Sequence, residues 1–292
     1  MEGFALLGSH LGDLDRKILT PAGIRQLTER MKMFPSGNGE QLLTLKDLTA
    51  LGYGSREGEN ILSLLNDRDI LDAYLAEGRK HRCFLLTRGE EAYPALLRKR
   101  LGGESPCCLF YKGDPELIKT PCISLVGSRD LNSPNAAFAR EAGYQAAEHG
   151  LTLVSGNARG ADRTAQQACL EAGGRVISVV ADSLTDKIEN ERILYLSQED
   201  FDAPFSAQRA LSRNHVIHAL GCMTLVCQCS FGTGGTWSGT TRNLQKGWSL
   251  VVCFRDGSEA SLALQQRGAY LMDIGDLSHL TDIRDPQMNL FD

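Results

Sequence analysis

The sequence predicts a doubly wound, mainly parallel α/β sheet preceded by a small helical N-terminal domain. Three features carry that prediction. From Cys122 onward, short continuous apolar runs rich in β-branched residues alternate with helix-length segments, the texture of strands covered on both faces. Before residue 79, apolar residues recur at helical spacing. Glycine-rich turns follow several of the apolar runs, where a parallel sheet places its strand-to-helix loops.

Taken in order, "LTPAGIRQLTERM" and "TLKDLTALGYGSREGENILSLLNDRDILDAYLAEG" read as helices interrupted by Gly52 and Gly54, so residues 1–78 are expected to form the helical domain. Residues 79–121 are basic and rich in turn formers, and are expected as a linker with some edge structure. Residues 122–276 hold the α/β domain, with strands at 122–127, 151–156, 175–180, 193–197, 223–229, 249–254 and 269–274. Residues 277–292 turn acidic around a proline and are expected as a tail.

Composition limits the function. With 42% hydrophobic and 23% charged residues, the 292-residue chain has the makeup of a soluble globular protein. No apolar run matches a membrane span, and "MEGFALLGSH" lacks the basic region of a secretory signal. The nine cysteines are scattered, with Cys122, Cys227, Cys229 and Cys253 inside apolar runs. They read as reduced thiols of a cytoplasmic protein. Cys222, Cys227 and Cys229 cluster without matched pairs or a histidine at zinc spacing, so no metal is expected. His215 and His218 read as ordinary helix residues.

The net charge of −5 argues against a nucleic-acid partner. The distribution counters it, because eight Lys/Arg lie between Arg79 and Lys112 against three acids, and arginines outnumber lysines 22 to nine. Arginine's planar fork suits phosphate.

The loops after the predicted strands converge on one chemistry. Gly127, Ser128 and Arg129 follow the first strand of the α/β domain. Ser155, Gly156, Asn157, Arg159, Gly160 and Asp162 follow the second, and "FGTGGTWSGT" follows the fifth. Each precedes a helix whose first amides favour an anion, so the three loops predict a phosphate-binding face. There is no G-x-x-x-x-G-K-[ST] and no G-x-G-x-x-G after the first strand. P-loop hydrolysis and a dinucleotide cofactor are therefore not expected, and no cofactor is assigned.

In order and spacing, "YPALL", "CCLFYKGD", "ISLVGSRD", "LVSGNARGAD", "RNHVIHAL", the GTGGTW loop and "SLVVCF" resemble the DprA/Smf DNA-processing proteins, within the DprA- and LOG-like Rossmann-related group. The resemblance implies a Rossmann-like protein that binds single-stranded DNA in a phosphate-cradling pocket; many members of the family deliver that DNA to a RecA-type recombinase. No enzymatic activity is expected, because the catalytic glutamate of LOG-type enzymes is not found after the glycine loop. The chain departs from the family pattern at Gln166, at Arg213-Asn214-His215, at Gln228 and in the GTGGTW loop itself. The roles it implies put main-chain amides of Ser128, Gly156, Gly160 and Gly232, Thr233, Gly234, Gly235 and Thr236 on backbone phosphates. Arg129, Arg159 and Arg213 neutralise them, with Arg209 extending the basic face. Ser155 and Asn214 bond the loop or the ligand, and Asp162 caps the following helix. Trp237 and Phe231 either stack on bases or pack under the loop.

Two other readings stay open: a sensor of a nucleotide-derived small molecule, and a LOG-like phosphoribohydrolase. The second is disfavoured because no acid follows the GTGGTW loop until after Lys246. The basic 79–112 segment favours the longer ligand over a mononucleotide. In the tail, Gln287, Leu290 and Phe291 resemble the Q-L-x-L-F peptide that grips a bacterial sliding clamp. The partners expected are single-stranded DNA, a RecA-type recombinase and a sliding clamp, with self-association open and no membrane.

Overall fold

The computed structural model describes residues 2–32 and 43–282. Its N-terminal part consists of helices α1 (Glu2–Gly8), α2 (Pro21–Lys32), α3 (Leu45–Ala50), α4 (Ser55–Asn66) and α5 (Arg68–Lys80). Capping sets some of their ends: the Thr44 side chain accepts from the Asp47 amide while the Asp47 carboxylate accepts from Thr44 N. Strand β1 (Phe84–Thr87), α6 (Ala95–Leu101) and β2 (Cys108–Lys112) follow.

The remainder alternates strand and helix as the sequence predicts, except that β5 passes to β6 without a helix between them. It runs β3 (Cys122–Val126), α7 (Ser133–Glu148), β4 (Thr152–Ser155), α8 (Ala161–Glu171), β5 (Arg175–Val179) and β6 (Ile193–Ser197). After these come α9 (Ala207–Ser212), α10 (Asn214–Leu220), β7 (Met223–Val226), α11 (Gly234–Lys246), β8 (Leu250–Phe254), α12 (Glu259–Gln266) and β9 (Tyr270–Met272).

The nine strands form one sheet in the order β1-β2-β6-β5-β4-β3-β7-β8-β9. From β6 to β9 every pairing is parallel, while β1 and β2 pair antiparallel at one edge. The chain builds outward from β3 through β4, β5 and β6, then returns to place β7 against the other side of β3. That reversal leaves a crevice beyond the carboxyl ends of β3 and β7, where open α/β sheets take their ligands.

Residues alternate between two cores. Ile123 and Leu125 of β3 pack with Phe138 and Ala142 of α7, and Cys122 and Val126 pack on the opposite face with Val216 and Ile217 of α10. A third cluster joins Leu6, Ile24, Leu48 and Ile61 of the N-terminal helices to Phe110, Val180 and Phe201. The helical part thus shares its core with the antiparallel edge of the sheet.

Residues 79–121 carry β1 and β2, with Tyr93, Leu97 and Leu109 buried in the main core. This segment is part of the sheet, where sequence suggested a linker with edge structure. After β9 the chain winds through 3-10 turns at Ile274–Asp282 that bury Leu277 and Leu280. The stretch expected as a tail is therefore packed down to that point, and its remainder, with Gln287, Leu290 and Phe291, lies outside the described residues. No helix among the described residues is long and apolar enough to cross a membrane.

Helices α7 and α8 cross with their backbones nearly touching. A Cβ on Gly143 would lie 2.1 Å from the Ala165 carbonyl oxygen, so only glycine fits. In an exposed helix, Gly→Ala gains about 1 kcal/mol. Here Gly143→Ala is expected to lower stability by about 1–3 kcal/mol through overpacking, measured by urea unfolding. A raised midpoint would contradict this packing.

Candidate functional site

The loops after β3, β4 and β7 stand side by side at the switch point, and polar ties knit them together. A Cβ on Gly160 (φ +84°) would fall 2.4 Å from the Ser128 carbonyl oxygen, and Ala161 N–H donates to that same oxygen at 3.1 Å. Glycine at 160 is what lets the β4 loop rest on the β3 loop. From the third loop, Thr236 Oγ1 donates to Gly127 O at 3.0 Å. Gln228 takes the Asn132 amide on its Oε1 and gives its Nε2 to Asp130 O, both at 3.2 Å.

Beneath these ties lies a buried ion pair. Asp162 Oδ2 accepts from the amides of Gly156 (3.0 Å) and Ala158 (3.2 Å) and lies 3.8 Å from Arg213 Nη2. Arg213 donates to Gly156 O at 3.2 Å and to Asn214 Oδ1. Asn214 Nδ2 in turn donates to Gly235 O at 3.1 Å. A Cβ on Gly156 would sit 1.7 Å from Arg213 Nη2, so the guanidinium occupies the space that any other residue there would fill.

Burial raises the Asp162 carboxyl above its ordinary range, opposed first by the Arg213 guanidinium and then by the two amides. Burial also lowers Arg213, opposed by Asp162. Guanidinium does not lose its proton in proteins, so the charged pair is the state that fits the geometry. A second polar cluster locks α10 to α11. His218 Nδ1 faces Asn243 Nδ2 and Thr224 Oγ1, both at 3.2 Å, and burial lowers this imidazole to about 3.

Several residues sit elsewhere than the sequence suggested. Read from sequence, Arg213 reaches the ligand; in the fold it is only 7% exposed and its guanidinium organises the loops from below. Asp162 is not a helix cap: Gly160 holds the cap position of α8, and the Asp162 carboxylate reaches back to the preceding loop. Arg209 does not extend a basic face, because Nη1 is turned to Pro204 O and Nε lies 4.0 Å from Glu199. Ser155 is buried and accepts from Gln166 Nε2 at 2.6 Å. Asn214 is buried as well, between Arg213 and Gly235. Trp237 packs under the glycine loop, with the Arg267 guanidinium 5.1 Å from its ring centre.

Part of the basic 79–112 segment is also spent internally. Arg98 donates to Tyr93 O, Arg100 to Ala219 O and Gly221 O, and Lys112 to Thr185 O, while Arg82 pairs with Glu189. Arg100 holds the far end of α10, whose first residue, Asn214, borders the loops.

What the loops do present is bare main chain. The N–H groups of Ser128, Arg129, Asn157, Arg159, Gly160, Gly232 and Gly234 donate to no protein group among the described residues. Asn157 (φ +55°), Gly232 (φ +72°) and Gly234 (φ +82°) hold left-handed conformations that shape the loops. The Asn132 side chain caps α7, whereas α8 and α11 have no side-chain cap. Their first turns keep unspent donors and the positive end of the helix dipole.

Arg129 is exposed and makes no ion pair among the described residues. Arg159 lies 2.7 Å from Asp130, with side chains 72% and 83% exposed. The described residues hold no group of three or more His, Cys, Asp or Glu fit for a metal ion. Two surface hollows of about 720 and 880 Å³ lie apart from these loops, one around Phe84 and Gly113, the other around Lys17 and Asn60. The arrangement suits an oxyanion held by amides with one or two arginines beside it.

A family model described as DNA recombination-mediator protein A matches residues 84–273. DNA processing protein DprA of Streptococcus pneumoniae is 28% identical over 187 residues, 60% of this chain and 61% of that protein. Protein Smf of Synechocystis is 24% identical over 168 residues, 56% of this chain and 41% of that one. The matched region thus spans less than two thirds of the length of these curated relatives.

Among solved structures, DNA processing protein A from Streptococcus pneumoniae superposes with a TM-score of 0.70 at 24% identity, covering 91% of this chain and 99% of that one. The Helicobacter pylori protein, described by its single-stranded DNA binding mode, gives 0.57 at 21% identity over 70% and 98%. At these identities the likeness establishes the fold.

The buried pair and the exposed arginine should separate cleanly. Arg213→Ala strands the Asp162 charge and is expected to cost about 3–5 kcal/mol, whereas Arg129→Ala stays within about 0.5 kcal/mol. Chemical denaturation of both variants measures this. Equal stabilities would mean that Arg213 does not organise the loops.

Proposed function

The chain belongs to the DNA recombination-mediator protein A family, and from that premise we propose that it binds single-stranded DNA on the three loops at the switch point. One observation carries the reading: unspent main-chain donors from three loops lie at one sheet edge, held by a buried Arg213–Asp162 pair. Such donors suit phosphodiester oxygens and read no base, so the binding has little sequence preference. The description of the Helicobacter pylori relative as a binder of single strands supports the choice of ligand. Delivery to a RecA-type recombinase belongs to the same proposal, supported by the family's description as a recombination mediator. Self-association also belongs to it, as a second copy would lengthen the binding track.

We propose binding without catalysis. Asp162, the buried carboxylate of the site, is committed to two amides and a guanidinium. The helix after the glycine loop, "WSGTTRNLQK", carries no acid to stabilise an oxocarbenium ion. We propose further that the C-terminal Gln287, Leu290 and Phe291 engage a sliding clamp, on the strength of the peptide sequence alone.

Fluorescence anisotropy tests the central reading. Single strands are expected to bind more tightly than duplex and to weaken steeply with salt as counterions are released. Arg129→Ala should weaken all sequences alike and shrink the salt slope by about 0.7 for each phosphate no longer neutralised. Asp130→Asn, which releases Arg159, should tighten binding by roughly two- to fivefold, in line with an exposed pair. Tight binding of a mononucleotide with no binding of oligonucleotides would instead support a small-molecule sensor. For the tail, a peptide of residues 284–292 is expected to bind purified clamp and its Leu290→Ala/Phe291→Ala form is not. Equal behaviour of the two peptides ends that part of the proposal.

A further inference from the structure

Two acids in the loop after β6 tie the N-terminal helices to the segment that carries Arg213. Asp200 is 3% exposed. Its Oδ1 accepts from Ser9 Oγ at 2.7 Å and from His10 N at 3.2 Å, and its Oδ2 accepts from Gly12 N at 2.7 Å. Two residues on, Asp202 Oδ1 accepts from Tyr74 Oη of α5 at 2.6 Å, and the Tyr74 ring centre lies 4.6 Å from that of Phe201. The turn that follows α1 is shaped to the Asp200 carboxylate. Leu11 holds a left-handed φ of +54°, unusual for leucine, and the amides on either side of it are the two that Asp200 takes.

The same segment ends at the phosphate site. Residues 198–213 leave the carboxyl end of β6, the sheet edge at which the three loops stand, and brace themselves. Gln198 Nε2 donates to Ser212 Oγ. Ser206 Oγ accepts from Arg209 N at 3.0 Å, and Arg209 Nη1 donates to Pro204 O. Arg213 N then donates to Arg209 O at 2.9 Å. Asp200 thus stands near the start of a braced unit and Arg213 at its end. Arg213 has little room to shift, because its guanidinium fills the place of the missing Cβ at Gly156.

We infer that Asp200 is a positioning residue for the phosphate site, through which the N-terminal helical part sets the place of Arg213; the inference rests on the phosphate-binding reading above. A buried carboxylate is a poor device for adhesion alone, since apolar packing of the same volume does as well or better. Three donors aimed at its two oxygens add direction. They fix where the loop lies and how it is turned. Leu184 N donates to Phe201 O at 2.7 Å, so the helical part, the β5–β6 connection and this loop meet at one point. Asp200 is too deep to meet a phosphate, and its effect passes through the 198–213 segment.

Anisotropy binding of a single-stranded oligonucleotide to the full chain, across a salt series, tests this. Asp200→Asn keeps the shape but sets an amide donor among the three donors it replaces a carboxylate for. Affinity is expected to fall roughly three- to tenfold, within the range of coupling along a connected network. The salt slope is expected to stay unchanged, because no cation of the site is removed. Ser9→Ala, which removes one donor from outside the site, is expected to lower affinity about twofold or more. Hydrogen exchange in both variants is expected to quicken at the Gly156 and Ala158 amides, which the Asp162 carboxylate holds, and to stay as in wild type at Ile123 and Leu125 of β3. Thermal unfolding sets a temperature at which each variant is folded, and Ser9→Ala carries the test if Asp200→Asn does not fold.

Wild-type affinity in the folded variants overturns the inference and leaves the phosphate reading standing. A loss of affinity with a flatter salt slope, or without quickened exchange at Gly156 and Ala158, also overturns it. Failure of wild-type protein to bind the oligonucleotide overturns the phosphate reading, and this inference with it.

Discussion

The buried ion pair between Arg213 and Asp162, closed around the bare backbone of Gly156, is the constraint on which the rest of the site depends. Desolvating two charges costs several kcal/mol per ion, and a pair of this kind adds little net stability compared with well-packed apolar residues. Its effect is geometric. Asp162 draws in the amides of Gly156 and Ala158, Arg213 holds the Gly156 carbonyl, and Asn214 passes the connection to Gly235 in the third loop. With the loops fixed from beneath, the donors left at their surface are those that nothing inside the protein has claimed.

On the proposed reading, this arrangement shifts the chemistry of recognition from side chains to main chain. An arginine-rich sequence suggests a cationic track, yet Arg98, Arg100, Arg209 and Arg213 are directed at carbonyl oxygens of the protein itself. Arg129 is exposed without an ion pair among the described residues, and Arg159 is held by Asp130. An acidic protein with few free cations at its site needs another source of positive potential. The uncapped starts of α8 and α11 provide it locally. Glycine lets the backbone itself approach a ligand, so on the proposed reading the long "GTGGT" stretch matters more than the arginine count.

Much of this was legible in the sequence. Strands covered on both faces read as continuous apolar runs, so Ile123 to Val126 and Leu250 to Phe254 stood out. Glycines after those runs marked the loops at the switch point. The antiparallel edge was harder to see, because β1 and β2 are short, lie in a basic stretch, and gain their stability from partners distant in sequence, such as Phe110 with Phe201. The direction of a long side chain was not legible at all. Arg213 has the right identity and neighbourhood to meet a ligand, and only the missing Cβ at Gly156 decides that it turns inward. The Asp162 carboxylate likewise serves the loop before it, a choice set by which amides lie within reach. Leu277 and Leu280 looked like part of a tail because their partners across the core lie far back in the chain.

The central claim is that main-chain amides of the three loops are the ligand-binding groups, and backbone amide exchange with and without a single-stranded oligonucleotide tests it most directly. The account predicts slowed exchange at Ser128, Arg129, Asn157, Arg159, Gly160, Gly232 and Gly234 together, with no change in the basic 79–112 segment. Protection that falls on the 79–112 segment or the N-terminal helices, with the three loops unaffected, would contradict it.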